Sequence, residues 1–265
     1  MLGRHHLAIS VLVVIPFIIP LIFLNDINLT IPIAFLVAVV VGSLTPDADC
    51  GGNSKLYYDF YVIDWLMKKL ITPLVLVSFK IISNKKPLEY DVVDEHRGIM
   101  HSPSGIIISS FLLAIIFAIA VIILNTFNFL TALMIFLGLL IGQLLHLMED
   151  SMTVSGINWG FPFKEKISKG KIYTFPKIDG KKDIRPGIFV YSLGIFSFIL
   201  FFILALKIIE ISLWLIYLLI LICVSLIITI NISIAKSERN FWYKDKEKLR
   251  QMKRKQRAFL RNFGS

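Results

Sequence analysis

The chain has 265 residues, of which 56% are hydrophobic and only 17% are charged. Soluble domains are about 45–50% apolar and about 25% charged, so this composition excludes a disordered chain, a disulfide scaffold and an ordinary cytosolic enzyme. The net charge is +10, and the two cysteines, Cys50 and Cys223, are too few for a disulfide framework. Apolar runs predict one membrane domain over residues 1–234, followed by a basic tail over residues 235–265.

Six apolar segments approach or reach the length of about 20 residues that a membrane-spanning helix needs. They predict an all-α, polytopic membrane protein with about six transmembrane helices. The second segment is short, and the first contains Pro16 and Pro20. In chain order, the segments are Leu7–Leu24, Ile31–Leu44, Pro103–Leu124, Phe129–Leu147, Ile188–Leu206 and Ile211–Ile234.

Basic residues are concentrated on one side of these six helices. Lys and Arg number seven over Pro46–Ser102, eight over Glu149–Pro186 and eleven over Lys236–Ser265. The opposite loops, Asn25–Thr30 and Asn125–Asn128, have none. The positive-inside rule therefore predicts a multi-pass protein of the cell membrane with both termini in the cytoplasm.

The segment Tyr57–Ser83 combines aromatic residues with charged ones, among them Trp65 and Lys68. Tyr and Trp are enriched at membrane interfaces, so the pattern favours an interfacial or re-entrant segment over a spanning helix. Both alternatives stay open, and Pro73 is expected to bend the chain there.

Polar and ionisable residues lie at four predicted helix ends, where they are candidates for function. The predicted topology places these four ends at the same cytoplasmic level, so the bundle would bring them together. All five histidines of the chain belong to this set. The clusters are Arg4–His6, Thr45–Cys50, Glu95–Ser102 and His146–Asp150.

Imidazole and carboxylate groups together are typical ligands of Zn²⁺, Mn²⁺ or Fe²⁺. His146 and Asp150 are four residues apart, so they share one face of a helix. Taken singly, such residues could be interfacial groups, turn caps or interhelical hydrogen-bond partners. These roles do not explain why all four clusters are predicted at the same cytoplasmic level of the membrane. Up to seven candidate ligands exceed what one ion needs and predict two or three divalent metal ions, most simply zinc.

The four clusters resemble those of the predicted membrane-bound, metal-dependent hydrolases, a bacterial and archaeal family. The matching motifs are an N-terminal His, Pro-Asp-x-Asp at Pro46–Asp49, His-Arg-Gly-x-x-His-Ser at His96–Ser102, and His-x-x-x-Asp at His146–Asp150. The resemblance covers roughly residues 1–165. This chain departs from the family pattern at Cys50, where His is frequent, and at Met100, where Thr is usual.

The resemblance favours His6 over His5 and implies catalytic roles for Asp47, Arg97 and Asp150. The family is thought to be distantly related to zinc-dependent phospholipase C and to single-strand nucleases, which are α-helical and cleave phosphodiesters at a trinuclear zinc site. The implied metal ligands are His6, Asp47, Asp49, His96, His101, His146 and Asp150.

We therefore expect a metal-dependent hydrolase that acts on a phosphoester or lipid-linked substrate at the cytoplasmic membrane face. Arg97 would bind an anionic group, and Ser102 is expected to cap a helix. The segment Thr153–Phe163 is either a lid or a packed loop. The alternatives are a divalent-cation transporter or channel, and a non-catalytic membrane tether.

The tail over residues 235–265 carries eleven basic and three acidic residues from Lys236 onward. Such a segment attracts anionic phospholipid at about 1 kcal/mol for each Lys or Arg near the surface. Membrane lipids are the expected partners, and they are favoured over nucleic acid. The sequence indicates no oligomeric state.

Overall fold

The computed structural model describes residues 3–23, 29–48, 55–83, 98–123, 128–161, 166–173, 183–207 and 212–237, and the prediction of an all-α membrane protein is confirmed. The basic tail beyond residue 237 lies outside these residues. The α-helices are α1 (Gly3–Ile22), α2 (Thr30–Gly42), α3 (Lys55–Asp59), α4 (Tyr61–Leu66), α5 (Thr72–Ser83), α6 (Pro103–Ile123), α7 (Phe129–Ser151), α8 (Arg185–Ala205) and α9 (Leu213–Lys236).

All six predicted apolar segments form helices. Five helices of the described residues, α1, α6, α7, α8 and α9, contain an apolar stretch long enough to cross a membrane. Helix α2 has 13 residues, which at 1.5 Å per residue span about 20 Å of a hydrocarbon core about 30 Å thick. The second predicted span is thus a short helix that ends close to the other helices' polar ends.

Small residues let α2 and α7 pack backbone to backbone. Gly138 and Gly142 of α7 are four residues apart and face Phe35, Ala38 and Val39 of α2, while Gly42 faces the backbone of Leu139. A Cβ atom at any of these three glycines would collide with the neighbouring helix. Spacing small residues four apart is a common way to bring membrane helices close. This contact places the carboxyl end of α7 beside the chain that leaves α2.

The segment from Tyr61 to Ser83 is helical, with a π-helical turn over Met67–Ile71 just before Pro73. One face packs into the apolar core through buried residues such as Met67 and Val75, whereas Trp65 is exposed. Buried Asp64 is paired with Lys68 at 2.7 Å. The choice between an interfacial and a spanning segment stays a prediction.

Helices α8 and α9 pack beside α1 and are joined to α7 by a small hairpin. Its strands, β1 (Ile157–Asn158) and β2 (Ile167–Ser168), are antiparallel, and Thr153 pairs with Ile172 alongside them. The described part of the Thr153–Phe163 segment packs against α6, because Ser104 of α6 donates a hydrogen bond to the carbonyl of Phe161.

An ion pair anchors this hairpin to α8 and α9. The guanidinium of buried Arg185, the first residue of α8, donates a hydrogen bond to the Asp183 carboxylate at 2.6 Å and another to the Lys171 carbonyl. The Lys171 N–H in turn donates to the Ala235 carbonyl of α9. Burial by itself would raise the pKa of Asp183, but hydrogen bonding to Arg185 and its positive charge hold that pKa below the ordinary value.

Candidate metal centre

Four helix ends that are far apart in the sequence meet at one buried cluster. The amino end of α1 supplies His6, and a 3₁₀ turn at residues 45–48 after α2 supplies Asp47. A second 3₁₀ turn, Ile99–His101, supplies His101 before α6 begins. The last turns of α7 supply His146 and Asp150, which share a helix face. The five side chains are buried, as the predicted convergence requires.

Two imidazole nitrogens and two carboxylate oxygens form the centre of this cluster. The Nε2 atoms of His101 and His146 are 3.3 Å apart. Oδ1 of Asp47 lies 3.7 Å and 3.5 Å from these two nitrogens, respectively. Oδ2 of Asp150 lies 3.7 Å and 3.8 Å from the same nitrogens. We call these four atoms the four-atom set.

The spacing around the two imidazole nitrogens suits metal coordination. In a tetrahedral site with bonds of about 2.0–2.1 Å, neighbouring ligand atoms are separated by about 3.4 Å. The nitrogen–nitrogen and nitrogen–oxygen separations, 3.3–3.8 Å, lie at or slightly above this value. The described residues could hold an ion in two overlapping groups, His6–Asp47–His146 and His101–His146–Asp150. The two groups share His146, so they describe adjacent positions.

The backbone fixes the orientation of His146. Its Nδ1 lies 2.7 Å from the carbonyl oxygen of Ser43, and the carbonyl can only accept, so Nδ1 carries the proton. The Nε2 lone pair of the neutral ring then points into the four-atom set. Carbonyl groups commonly orient metal-binding histidines in this manner. The close packing of α2 on α7 is what brings Ser43 to His146.

The structure selects His6 over His5. His6 is fully buried, and its ring stacks on that of His146 with centroids 3.9 Å apart and planes 17° apart. Its Nε2 lies 3.4 Å from Oδ1 of Asp150. His5 is only half-buried and belongs to neither ligand group, because adjacent residues of a helix point about 100° apart.

Glu149 belongs to the site although sequence reasoning assigned it no role. It is fully buried, and its Oε2 lies 3.0 Å from Nδ1 of His6. A signal for it was present in the sequence, because a carboxylate in the last turns of an apolar membrane helix needs a partner. His6, the nearest such partner, is separated from it by more than 140 residues, so sequence spacing did not suggest the pair.

The environment of Asp47 suits a metal ligand. Its Oδ1 lies within 3.7 Å of the Nε2 atoms of His101 and His146, the two nitrogens that face the same point. Asp47 is also the most exposed of the five clustered residues, at 8%, whereas the other four are at most 1% exposed. The cluster is therefore closest to solvent on the Asp47 side.

Two neighbouring residues have local structural roles. Ser102 accepts a hydrogen bond from the Gly105 N–H at 3.0 Å, so the predicted helix cap is confirmed. Met100 is buried in the apolar core, so its side chain packs there where the hydrolase family usually has Thr. The predicted site residues Asp49, His96 and Arg97, and also Cys50, lie outside the described residues.

Comparison with known proteins assigns the chain to a family. The family described as YdjM inner membrane protein matches residues 1–234. The chain belongs to this family. The matched region contains every helix described above except the last two residues of α9. The five long apolar helices make this YdjM-family chain a multi-pass membrane protein. No curated protein and no solved structure matches it.

Proposed function

We propose that this YdjM-family protein is a membrane-embedded, metal-dependent hydrolase whose substrate is a phosphoester, in particular a lipid-linked one. The observation that carries the proposal is the four-atom set, in which carboxylate oxygens of two aspartates lie 3.5–3.8 Å from two imidazole nitrogens that are themselves 3.3 Å apart. Without a cation, two buried carboxylates beside the same pair of imidazoles would be costly in a membrane protein.

The donor set favours zinc, with manganese or iron as alternatives, because it combines imidazole with carboxylate and has no described thiolate. A bound ion of this class lowers the pKa of a coordinated water to near neutrality and polarises a phosphoryl oxygen. The His101, His146, Asp47 and Asp150 side chains would hold the first ion. Further ions of the predicted two or three would use His6 together with Asp49 and His96.

The protein's own residues would bind and orient the reactants. Asp47 and Asp150 would bind the cation and accept hydrogen bonds from a water beside them. Arg97, two residues before the described turn that carries His101, would bind the anionic phosphate in a bidentate manner. Substrate approaches from the Asp47 side, where the cluster is closest to solvent.

The site would lie at the cytoplasmic membrane face, with both termini in the cytoplasm. The support is the positive-inside distribution of Lys and Arg and the position of all four ligand-bearing ends on the basic side. The basic tail would bind anionic phospholipid there. A lipid-linked substrate suits a site at this depth, since its head group would meet the ligands directly.

A cation transporter is a weaker proposal for the described helices. A conduction path places polar groups along the bilayer depth. Apart from Arg185 at the start of α8, the buried polar side chains of α8 and α9 are Ser197 and Asn231, and both bond to carbonyls of their own helices. In α7, Gln143 accepts a hydrogen bond from Ser109 of α6 at 2.7 Å.

The first test is metal content by elemental mass spectrometry on detergent-purified protein, prepared without chelators and with metal supplied. We expect at least one tightly bound Zn or Mn per chain, lost in His101→Ala and retained in His5→Ala, the matched histidine outside the ligand groups. Metal-dependent release of product from a phosphodiester and from a short-chain phospholipid should follow the same pattern. Wild-type protein without metal would contradict the proposal.

A further inference from the structure

We propose that Glu149 is a positioning residue of the metal centre, which holds the Nδ1 edge of His6 so that Nε2 of His6 faces the metal ligands. The inference rests on the proposed function, because it requires a bound cation. It adds a residue that neither the motif pattern nor the predicted ligand set contains.

The surroundings of Glu149 leave His6 as its charge partner. The Glu149 side chain is fully buried on a helix long enough to span a membrane, where an uncompensated carboxylate is costly. Oε2 lies 3.0 Å from Nδ1 of His6 as an ion-pair contact, and neither carboxylate oxygen makes a hydrogen bond of regular geometry in the part of the chain that the structure describes. The next residue, Asp150, faces the other nitrogen of the same ring.

The His6 ring is held on two edges and one face. Glu149 contacts the Nδ1 edge, Asp150 lies 3.4 Å from the Nε2 edge, and the His146 ring covers a face at 3.9 Å. A neutral imidazole carries one proton. Placed on Nδ1, that proton faces the Glu149 carboxylate, 3.0 Å away, and leaves the Nε2 lone pair for a cation. A carboxylate behind a metal-binding imidazole fixes its tautomer and raises its basicity.

The geometry argues against Glu149 as a metal ligand itself. Its carboxylate belongs to neither of the two ligand groups among the described residues, whereas Asp150, its chain neighbour, belongs to one of them. The two side chains leave α7 about 100° apart, so they cannot face the same ion equally. Glu149 therefore acts on the metal only through His6.

The test measures Zn²⁺ and Co²⁺ affinity of the full-length, detergent-purified chain by chelator competition. We expect Glu149→Ala to weaken binding about 10–100-fold, the usual effect of removing a carboxylate behind a ligating histidine. Glu149→Gln should lose less, because its amide oxygen still accepts the Nδ1 proton. If Glu149→Ala does not fold, the metal affinity of Glu149→Gln still tests the inference. The matched control is Asp64→Asn, which changes another buried carboxylate and should leave affinity unchanged.

A double-mutant comparison separates positioning from ligation. In a His6→Ala background, Glu149→Ala should cause no further loss of metal affinity, because the imidazole that Glu149 positions is already absent. The Co²⁺ absorption spectrum of Glu149→Gln should keep the wild-type coordination number, and ¹⁵N NMR should show the His6 proton on Nδ1 in Glu149→Gln but no longer held there in Glu149→Ala. A purely structural role would leave the His6 proton on Nδ1 in both variants.

Several outcomes overturn the inference. If Glu149→Ala binds metal as tightly as wild type, Glu149 does not position His6, while the proposed metal centre stands. If Glu149→Ala weakens binding further in the His6→Ala background, Glu149 is a ligand in its own right. Wild-type protein that binds no metal would overturn the proposed function and this inference together.

Discussion

Helices α7 and α9 have nearly the same length, 23 and 24 residues, and both are apolar enough to span a membrane. Their surroundings differ. In the apolar window of α7, 39% of the residues are buried within the protein, compared with 11% in α9. The buried polar residues of α7 include Gln143, His146, Glu149 and Asp150, whereas α9 buries Asn231 alone among its polar side chains.

The difference shows how a membrane helix can carry a polar site. On α7, glycines let α2 approach, and neighbouring chain ends surround the polar last turns with partners. On α9, apolar side chains such as Trp214 and Leu221 stay exposed on the protein, so they face lipid in the membrane. Helix α9 instead anchors the hairpin through the Ala235 carbonyl. Hydrophobicity places both helices in the membrane, and neighbours determine which one bears the site.

The largest expected difference between the two helices concerns metal binding. Asp150→Ala on α7 should lower metal affinity by more than about 100-fold, because losing even an outer-shell partner costs about 10–100-fold. Asn231→Ala on α9 removes a buried polar group of similar size and should leave affinity unchanged. Elemental analysis of both variants after dialysis is the measurement. Equal metal content in the two variants would contradict the assignment of the site to α7.

Packing should also distinguish the helices. Leu139→Ala removes a fully buried side chain from the core between α2 and α7 and should cost about 2–5 kcal/mol in the free energy of unfolding. Leu221→Ala on α9 should change it by no more than about 0.5 kcal/mol, because that side chain is 53% exposed. Unfolding in mixed detergent micelles measures both. A comparable loss for Leu221→Ala would show that α9 is covered by protein.

The ion pair before α8 predicts a pH dependence of stability. Because the folded-state pKa of Asp183 is below its ordinary value, the pair's contribution is present at pH values above that ordinary value. It is lost as the pH falls through the lowered pKa. Asp183→Asn should lower stability by about 1.5–3 kcal/mol at pH 7, with the difference from wild type shrinking in acid.

Thermal unfolding of wild type and Asp183→Asn from pH 7 to pH 3 checks this dependence. Asp64→Asn provides the comparison, since that carboxylate pairs with Lys68 elsewhere in the protein. A difference between wild type and Asp183→Asn that stays constant over the whole range would exclude ionised Asp183 as the source.

Glycine substitutions provide the smallest of these expected effects. Gly142→Ala places a methyl group against the backbone of Val39 and Ser43 and should cost about 1–3 kcal/mol. Because Ser43 orients His146, metal affinity should fall as well. Gly187→Ala on α8 is the matched control, since nothing lies within 4 Å of its added Cβ. If both variants behave alike in thermal unfolding, the close α2–α7 contact does not support the site.

Most of the architecture could be predicted from apolar segment length and basic-residue bias. Each of the six predicted segments is a helix, because about 20 apolar residues have few other stable arrangements in a membrane. Helix α2 is the exception in length, and its shortness follows from the turn after Ser43 that carries Asp47 inward. The small hairpin was not predicted, because two-residue strands leave almost no periodic signal.

The sequence by itself determined the membrane class, the helical segments and the set of histidines and aspartates at their ends, because composition and spacing report hydrophobicity and helix faces directly. Tertiary structure alone decided which nitrogen of His146 faces the ligand atoms and that Glu149 contacts His6, and it placed His6, which the family resemblance already favoured, in the cluster. The physical reason is distance along the chain: the partners of α7 come from α1, from the turn after α2 and from the turn before α6. Only packing brings those segments within 3–4 Å.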